Sequence, residues 1–169
     1  MSQQPNSRYC LLCGVENPIG LHLRFYDDGA DRVTTHFTPR EEHQGYPGVL
    51  HGGLTSALLD ETIGRTLVSR DLWAMTVSLA VRFHRPIPLG RPLTVTGEIT
   101  RLRSRTLEGR GEIRLADGSL GASAEAKYIL LSPEQTDAFR EELGWWQVVE
   151  DHAEGGAPQP SRRPPERSR

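Results

Sequence analysis

The sequence is poor in cysteine and has no long hydrophobic run. Its two cysteines are Cys10 and Cys13, and a bridge across so short a loop would constrain the chain little, so no disulfide framework is expected. No window approaches the roughly 18 apolar residues of a membrane span. The first residues show neither a signal-peptide nor a transit-peptide pattern. We therefore predict a cytoplasmic protein that has no membrane partner and is stabilised by its hydrophobic core.

The sequence also lacks a strong charge of either sign. Over 169 residues the formal net charge is -2 at pH 7, and the pI is about 6.3. A chain with this balance has no global electrostatic attraction for nucleic acid or for an anionic membrane. We therefore expect no nucleic-acid partner, and any bound anion must be held by a local group of basic residues.

Hydrophobic periodicity indicates one α+β domain at residues 9–148, between a flexible leader at 1–8 and a disordered tail at 149–169 that is rich in Gly, Pro, Arg and Ser. A long helix is expected from Leu50 to Val68, where apolar residues recur at helical spacing without a proline. The predicted strands are 21–28, 32–39, 74–83, 93–101, 106–115 and 120–131, and a short helix follows from Pro133 to about Leu143. This order predicts a curved antiparallel sheet wrapped around one central helix.

Asp60 places a carboxylate inside the apolar central helix. Burying an unpaired ionised carboxylate costs several kcal/mol. The side chain therefore reaches water beside Glu61, has partners, or has a pKa shifted for chemistry. Small and polar residues, Ser56 and Ala57, share its side of the helix, and Gly64 follows. This stripe favours close approach by a ligand or another backbone over ordinary core packing.

Gly52 and Gly53 lie at the predicted start of the same helix. Their amides would point outward at the positive end of the helix dipole, where they could polarise a carbonyl oxygen. Gly53 and Asp60 are seven residues apart, or about 10 Å along the helix axis, so one carbonyl cannot contact both. If both act on one bond, they must come from two chains. The spacing therefore predicts a homodimer with two shared sites.

The stretch "HGGLTSALLDE" is similar to the signature of hotdog-fold acyl-CoA thioesterases of the phenylacetate-pathway branch, and His51, Gly52, Gly53 and Asp60 match it position for position. "AMTVSLAVRFHRPIPLG" resembles the strand that follows the helix in the mammalian mitochondrial long-chain members of this family. "CLLCGVENPIGLHLRF" resembles a leader found in a bacterial subset of the branch. Together these similarities span residues 10–131.

The resemblance implies a hotdog fold in a double-hotdog homodimer, or a homotetramer built from two such dimers, that hydrolyses an acyl-CoA thioester. It assigns Asp60 as nucleophile or as general base for water, with the Gly53 amide of the facing subunit polarising the thioester carbonyl. Thr76 would position the water or the carboxylate. His51 would shape the helix start or contact the thioester oxygen or sulfur. No cofactor and no metal are implied.

Substrate-binding residues are expected around the motif. Gly52 belongs to the helix start. Some relatives carry Asn or Gln six or seven residues before the histidine to contact the thioester carbonyl, and here Gly45 and Gln44 occupy those positions, so Gln44 is the candidate. Arginine forks match phosphate oxygens. The coenzyme A phosphates could therefore be held by members of a basic group that comprises Arg82, Arg85, Arg91, Arg101, Arg103, Arg105 and Arg110, with Arg82, Arg85 and Arg103 as the chosen candidates.

Three other functions fit parts of the sequence. A non-catalytic acyl-CoA-binding or regulatory hotdog protein would not need Asp60. A hotdog dehydratase or hydratase would pair a histidine with a carboxylate at a different spacing. A zinc-stabilised interaction protein would use Cys10 and Cys13, but a tetrahedral site needs two more ligands, from His22 or from a second copy of the chain.

Overall fold

Seven antiparallel strands form one sheet in the order β1-β2-β3-β5-β6-β7-β4 in the computed structural model, which describes residues 1–149. The strands are β1 (Ser2–Gln3), β2 (Phe25–Asp27), β3 (Arg32–Phe37), β4 (Ala74–Phe83), β5 (Leu93–Leu102), β6 (Thr106–Arg114) and β7 (Leu120–Leu130). Helix α1 (Gly52–Gly64) packs on one face of the sheet, and α2 (Pro133–Leu143) follows β7. The predicted α+β hotdog architecture is confirmed.

Local turn chemistry explains the first hairpin. The carboxylates of Asp27 and Asp28 accept hydrogen bonds from the amides of Gly29 and Ala30, at 2.6 and 2.9 Å. These bonds close the turn between β2 and β3, as predicted. Residues 21–24 were also predicted to be strand, but they bond instead to the loop at residues 10–13, called the cysteine loop below. The amides of Leu21 and Leu23 donate to backbone carbonyls of that loop at 2.9 and 2.8 Å.

Helix α1 is shorter than the predicted Leu50–Val68 segment. It begins after His51, which caps it, and after Gly64 the chain continues as a 3-10 helix at Arg65–Arg70. Its apolar side chains include Leu58, Leu59 and Ile63, all with no exposed surface, and they face strands β5, β6 and β7. Burying one such side chain contributes about 1.5–3 kcal/mol. Packing of this face therefore fixes the helix, and with it Asp60, against the sheet.

A glycine on β5 allows the helix to approach the sheet closely. A Cβ atom on Gly97 would lie 2.6 Å from the carbonyl oxygen of Thr62 and 2.8 Å from the Cα of Ile63, both backbone atoms of α1. A Cβ atom on Gly111, directly opposite on β6, would lie 3.0 Å from the Ile63 side chain and 3.1 Å from the Thr96 carbonyl oxygen, so it meets no atom as closely as a Cβ atom on Gly97 does. The backbone contact at Gly97 thus sets the height of the helix above the sheet.

Gly97→Ala is expected to lower the free energy of unfolding by about 2 kcal/mol, since overpacking against a helix backbone cannot be relieved by side-chain rotation. The matched variant Gly111→Ala is expected to stay within about 1 kcal/mol of wild type, because its neighbours need to shift by only a few tenths of an ångström and alanine restricts the unfolded chain. Urea unfolding of both variants measures the difference. Equal stabilities for the two variants would contradict the close contact at Gly97.

The first residues of the chain are packed, so the prediction of a flexible leader at residues 1–8 is wrong. Strand β1 pairs with β2, and the side-chain amide of Asn6, 1% exposed, donates to the carbonyl oxygens of Cys13 and Leu23 at 2.6 and 2.9 Å. The segment is polar because it satisfies buried backbone groups, so hydrophobic periodicity does not reveal it. The predicted disordered tail lies, apart from Val149, outside the described residues.

Strand β4 lies at one edge of the sheet, where β7 is its neighbour. Its alternating sequence does not produce alternating burial, because all ten of its residues are exposed or half-buried. Met75 and Val77 are each 55% exposed, and Phe83 is 57% exposed. A long edge strand with large apolar side chains is typical of a surface that pairs with another chain.

Candidate active site

The start of α1 is closed by its own histidine. The backbone amide of Gly53 donates to Nδ1 of His51 at 2.9 Å, and the amide of Thr55 donates to the His51 carbonyl at 3.0 Å. His51 therefore has the capping role that side-chain acceptors fill at helix starts. The Gly53 amide, which was predicted to polarise a carbonyl, lies at the start of the helix, but its hydrogen is already donated to His51.

Asp60 lies two helical turns further on, half-buried, with its carboxylate fixed by two hydroxyl groups. Thr76 Oγ1 donates to Asp60 Oδ1 at 3.0 Å. The Tyr128 hydroxyl lies 3.0 Å from the same oxygen and 2.9 Å from the Asp60 carbonyl. Within residues 1–149, neither hydroxyl bonds to Oδ2, so one carboxylate oxygen is anchored and the other is left for chemistry. The predicted pairing of Asp60 with Thr76 is present in the structure.

Tyr128 is a site residue that the sequence analysis missed. It is 3% exposed, on the face of β7 that packs against α1. Burial, followed by the charge of Asp60, raises the pKa of Tyr128, so its hydroxyl stays protonated and serves as a donor. The clue in the sequence is that a tyrosine on the apolar face of a strand needs a partner for its hydroxyl.

A cavity of about 270 Å³ opens beside Asp60. Its polar wall includes Asp60, Thr76 and Tyr128, and its apolar wall is made of Val68, Leu72, Trp73 and Trp146. The rings of Trp73 and Trp146 lie 5.5 Å apart between centroids. A carboxylate facing a partly apolar cavity is the arrangement expected of a site that positions an apolar group next to a nucleophile or a base.

Gln44 does not reach this cavity within one chain. Its side-chain oxygen accepts a hydrogen bond from the amide of Gly48 at 2.7 Å, so it closes the loop before α1. Gly45, at the neighbouring position, packs against His51: a Cβ there would lie 3.0 Å from the His51 Cα. The pair therefore shapes the approach to the helix start.

The candidate arginines occupy different places on the sheet. Arg85 follows β4 at the end where α1 begins, and its amide donates to Gly121 at 3.1 Å. Arg103 lies in the turn between β5 and β6. In the same turn, the Arg105 carbonyl accepts a hydrogen bond from the Leu130 amide, at the end of the sheet where Asp60 lies. Arg82 is opposite Ser123, on the sheet face away from α1. None of the three has an ion pair among residues 1–149, whereas Arg110, from the same basic group, pairs with Glu98.

The structure thus divides the predicted residues of the helix and β4 into two groups that lie apart from each other. Asp60 and Thr76 form one group, and His51, Gly52 and Gly53 form the other. Strand β4 connects them, because its Thr76 bonds to Asp60 and its Phe83 ring lies 3.5 Å from where a Cβ of Gly52 would be. Gly53 and Asp60 are two helical turns apart, about 10 Å along the axis, so one chain cannot place both on one ligand atom.

A cluster of side chains that could bind a metal lies where Glu61, the residue next to Asp60, meets the N-terminal loop. The sulfurs of Cys10 and Cys13 and a carboxylate oxygen of Glu61 all lie within 4.8 Å of one another. Glu61 also accepts a hydrogen bond from Nε of the buried Arg65 at 3.0 Å. The Cys10 thiol, followed by the Arg65 charge, lowers the pKa of Cys13. His22, the further ligand suggested by the sequence, is not part of this group.

Comparison with known proteins adds to this geometry. The family model described as "Thioesterase superfamily" matches residues 47–122, which include both α1 and β4. The acyl-coenzyme A thioesterase THEM4 of Xenopus laevis is 32% identical over 113 residues, which cover 66% of this chain and 51% of that protein. The chain thus spans about half the length of that relative.

Two further matches cover more of their own lengths. The putative esterase SSO2140 of Saccharolobus solfataricus is 31% identical over 102 residues, covering 59% of this chain and 72% of that protein. The crystal structure of protein RHA08564, described as a thioesterase superfamily protein, superposes with a TM-score of 0.68 at 33% identity, covering 72% of this chain and 63% of that one. Among residues 1–149, neither helix is long and apolar enough to cross a membrane.

Proposed function

Because the chain belongs to the thioesterase superfamily, we propose that it is an acyl-CoA thioesterase that hydrolyses an acyl-CoA to a free acid and coenzyme A, with Asp60 as its catalytic carboxylate. The observation that carries the proposal is the Asp60 carboxylate, held by Thr76 and Tyr128 at the wall of a cavity. The THEM4 relative bears the name of an acyl-coenzyme A thioesterase, which supports the choice of substrate class.

The chemistry follows from the orientation of the carboxylate. With Oδ1 anchored, Oδ2 faces the reacting groups and can act in two ways. As a general base it takes a proton from water while the water oxygen attacks the thioester carbon. As a nucleophile it attacks that carbon itself, and water then hydrolyses the resulting anhydride. In both cases the carbon–sulfur bond breaks and the sulfur leaves as the thiol of coenzyme A.

The negative charge that develops on the carbonyl oxygen needs a donor. The Gly53 amide at the start of α1 is the best-placed group, because the helix dipole adds to its partial positive charge. In the free chain this amide is bonded to His51 Nδ1. On substrate binding the carbonyl oxygen would replace the imidazole as acceptor, and His51 would turn to contact the thioester.

The two half-sites meet when two chains pair through β4. Asp60 is bonded at the Thr76 end of this strand, and Gly52 contacts the Phe83 end. Antiparallel pairing of two β4 edges places the Thr76 end of one copy beside the Phe83 end of the other. Each homodimer would then carry two sites, each with Asp60 from one copy and Gly53 from the other. Pairing would also cover the exposed Met75 and Val77.

The same pairing suggests where coenzyme A binds. It brings Arg85 of one copy toward the end of the sheet that carries Arg103 of the other. Neither guanidinium has an ion pair among residues 1–149, so both could contact the phosphates. Gln44 and Gly52 would line the path from this basic rim to the thioester. The acyl group would extend into the cavity lined by Trp73 and Trp146.

A thiol-release assay over a panel of short, long and aromatic acyl-CoAs tests the proposal. Release of coenzyme A and free acid in equal amounts from at least one substrate is the expected result. Enoyl-CoA and 3-hydroxyacyl-CoA substrates in the panel distinguish thioester cleavage from hydration or dehydration, which leave the thioester intact. Absence of turnover across the panel would contradict the proposal, and tight binding without turnover would indicate a regulatory acyl-CoA-binding protein.

Tyr128→Phe is expected to lower kcat about tenfold with little change in KM. The ring stays in the core, but the Asp60 carboxylate loses one of its two anchoring donors and becomes mobile. Steady-state kinetics measure the effect, with the exposed Tyr9→Phe as a control that should match wild type. Unchanged kcat in Tyr128→Phe would show that Thr76 alone positions the carboxylate.

A further inference from the structure

A group of metal-type donors forms where the N-terminal loop meets the central helix. Cys10 and Cys13 come from the loop and Glu61 comes from α1, and one donor atom from each lies within 4.8 Å of the other two. The sequence places Glu61 nearly fifty residues from the cysteines, so only folding supplies this third donor. In a tetrahedral zinc site with Zn–S bonds of about 2.3 Å, sulfur atoms lie roughly 3.8 Å apart. The observed spacing therefore needs only a small contraction to close around an ion.

Hydrogen bonds hold both sulfurs in place, and the Ser7 hydroxyl lies 3.4 Å from Cys13 Sγ. The amide of Leu12 donates to Cys10 Sγ at 3.3 Å, and the amide of Gly14 donates to the Cys10 carbonyl at 2.8 Å. A Cβ on residue 14 would lie 2.4 Å from that carbonyl oxygen, so only glycine fits the turn. Amide donors to sulfur stabilise thiolates in the way that outer hydrogen bonds stabilise metal ligands.

The surrounding charges also fit a divalent cation. Metal binding displaces the ligand protons, so two thiolates and the Glu61 carboxylate would carry three negative charges, and the buried Arg65 supplies one positive charge beside Glu61 and Cys13. A divalent ion would make the whole group neutral, which a largely buried site requires. Arg65 bonds to Glu61 Oε1, so the other carboxylate oxygen is available as a ligand.

We propose that Cys10, Cys13 and Glu61 bind a zinc ion, with a fourth position open to water. Two thiolates and one carboxylate suit zinc better than the hard cations magnesium and calcium, which prefer oxygen ligands. The ion would tie the cysteine loop to α1 at the residue next to Asp60. Glu61 also lines the cavity beside Asp60, but none of the three metal ligands is a proposed hydrolytic group, so the proposal stands independently of the proposed function.

Metal content tests the proposal directly. The full chain is purified without chelator, loaded with zinc, freed of excess metal and measured by mass spectrometry of the element. About one zinc per chain is expected for wild type, and less than about a tenth of that for Cys10→Ser and Cys13→Ser. Glu16→Gln, an exposed acid beside the same loop, should match wild type. Two free thiols and no bound zinc in the wild-type protein would overturn the proposal, as would a disulfide in protein purified under reducing conditions.

Cobalt substitution tests the carboxylate and does not depend on the cysteine variants folding. Cobalt-loaded wild type should show thiolate-to-cobalt charge-transfer bands and the strong visible absorption of a tetrahedral ion. In Glu61→Gln, zinc affinity is expected to fall at least about tenfold and the visible cobalt spectrum to shift, because a ligand is lost. An unchanged affinity and spectrum in Glu61→Gln would overturn the three-ligand site. None of these readouts requires thioesterase activity.

Discussion

Asp60→Asn is expected to lower kcat for acyl-CoA hydrolysis by roughly a thousandfold. Asparagine has the same shape as aspartate and retains an oxygen at the Oδ1 position. It can therefore still accept both hydrogen bonds, from Thr76 and from Tyr128. What it loses is the charged oxygen that attacks the thioester or removes the proton from water. The fold and KM should change little.

A matched control separates this loss from a general effect of charge. Glu108→Gln removes a carboxylate from β6, where Glu108 faces Lys127 at 3.8 Å, and should leave kcat within about twofold, as expected of a surface ion pair. Steady-state kinetics on the best substrate of the panel compare both variants with wild type. If Asp60→Asn retained wild-type kcat, Asp60 would not be the catalytic carboxylate.

Much of the site follows from local sequence patterns. The helical run around Asp60, the period of two along β4 and the turn chemistry at Asp27 each depend on neighbouring residues. They were enough to predict the order of the main strands and α1. The link between Thr76 and Asp60 came instead from the resemblance, which gives Thr76 the role of positioning the water or the carboxylate.

The missed features depend on contacts between distant parts of the chain. Tyr128 reaches Asp60 because β7 pairs with β4 in one register, and no local pattern specifies that register. Glu61 meets the two cysteines because the N-terminal loop packs against α1, and no local pattern specifies that contact either. The packed N-terminal segment was missed because Asn6 stabilises it through buried hydrogen bonds, which leave no hydrophobic periodicity. Helix α1 ended early because residues after Gly64 continue as a tighter helix.

The hydrogen bond that occupies the Gly53 amide was indicated only in part, by the role of shaping the helix start that the resemblance gives to His51. The motif indicates Gly53 as a donor, but the structure shows its amide already capped by His51. Gly53→Val is expected to lower kcat about a hundredfold. The valine side chain would fill the space at the start of α1, since even a Cβ atom on residue 53 would lie 3.0 Å from Nδ1 of His51. This variant keeps Asp60, so it damages the other half of the proposed site.

Mixing the two inactive variants tests the shared site most directly. In a heterodimer of Asp60→Asn with Gly53→Val, one site combines two altered residues, and the other combines an intact Asp60 with an intact Gly53. Random exchange in an equal mixture makes half of the dimers mixed, so activity should recover to about one quarter of wild type. Native mass spectrometry confirms that heterodimers have formed. Recovery to that level is the predicted result, and heterodimers no more active than their parents would contradict a site built from two copies of α1.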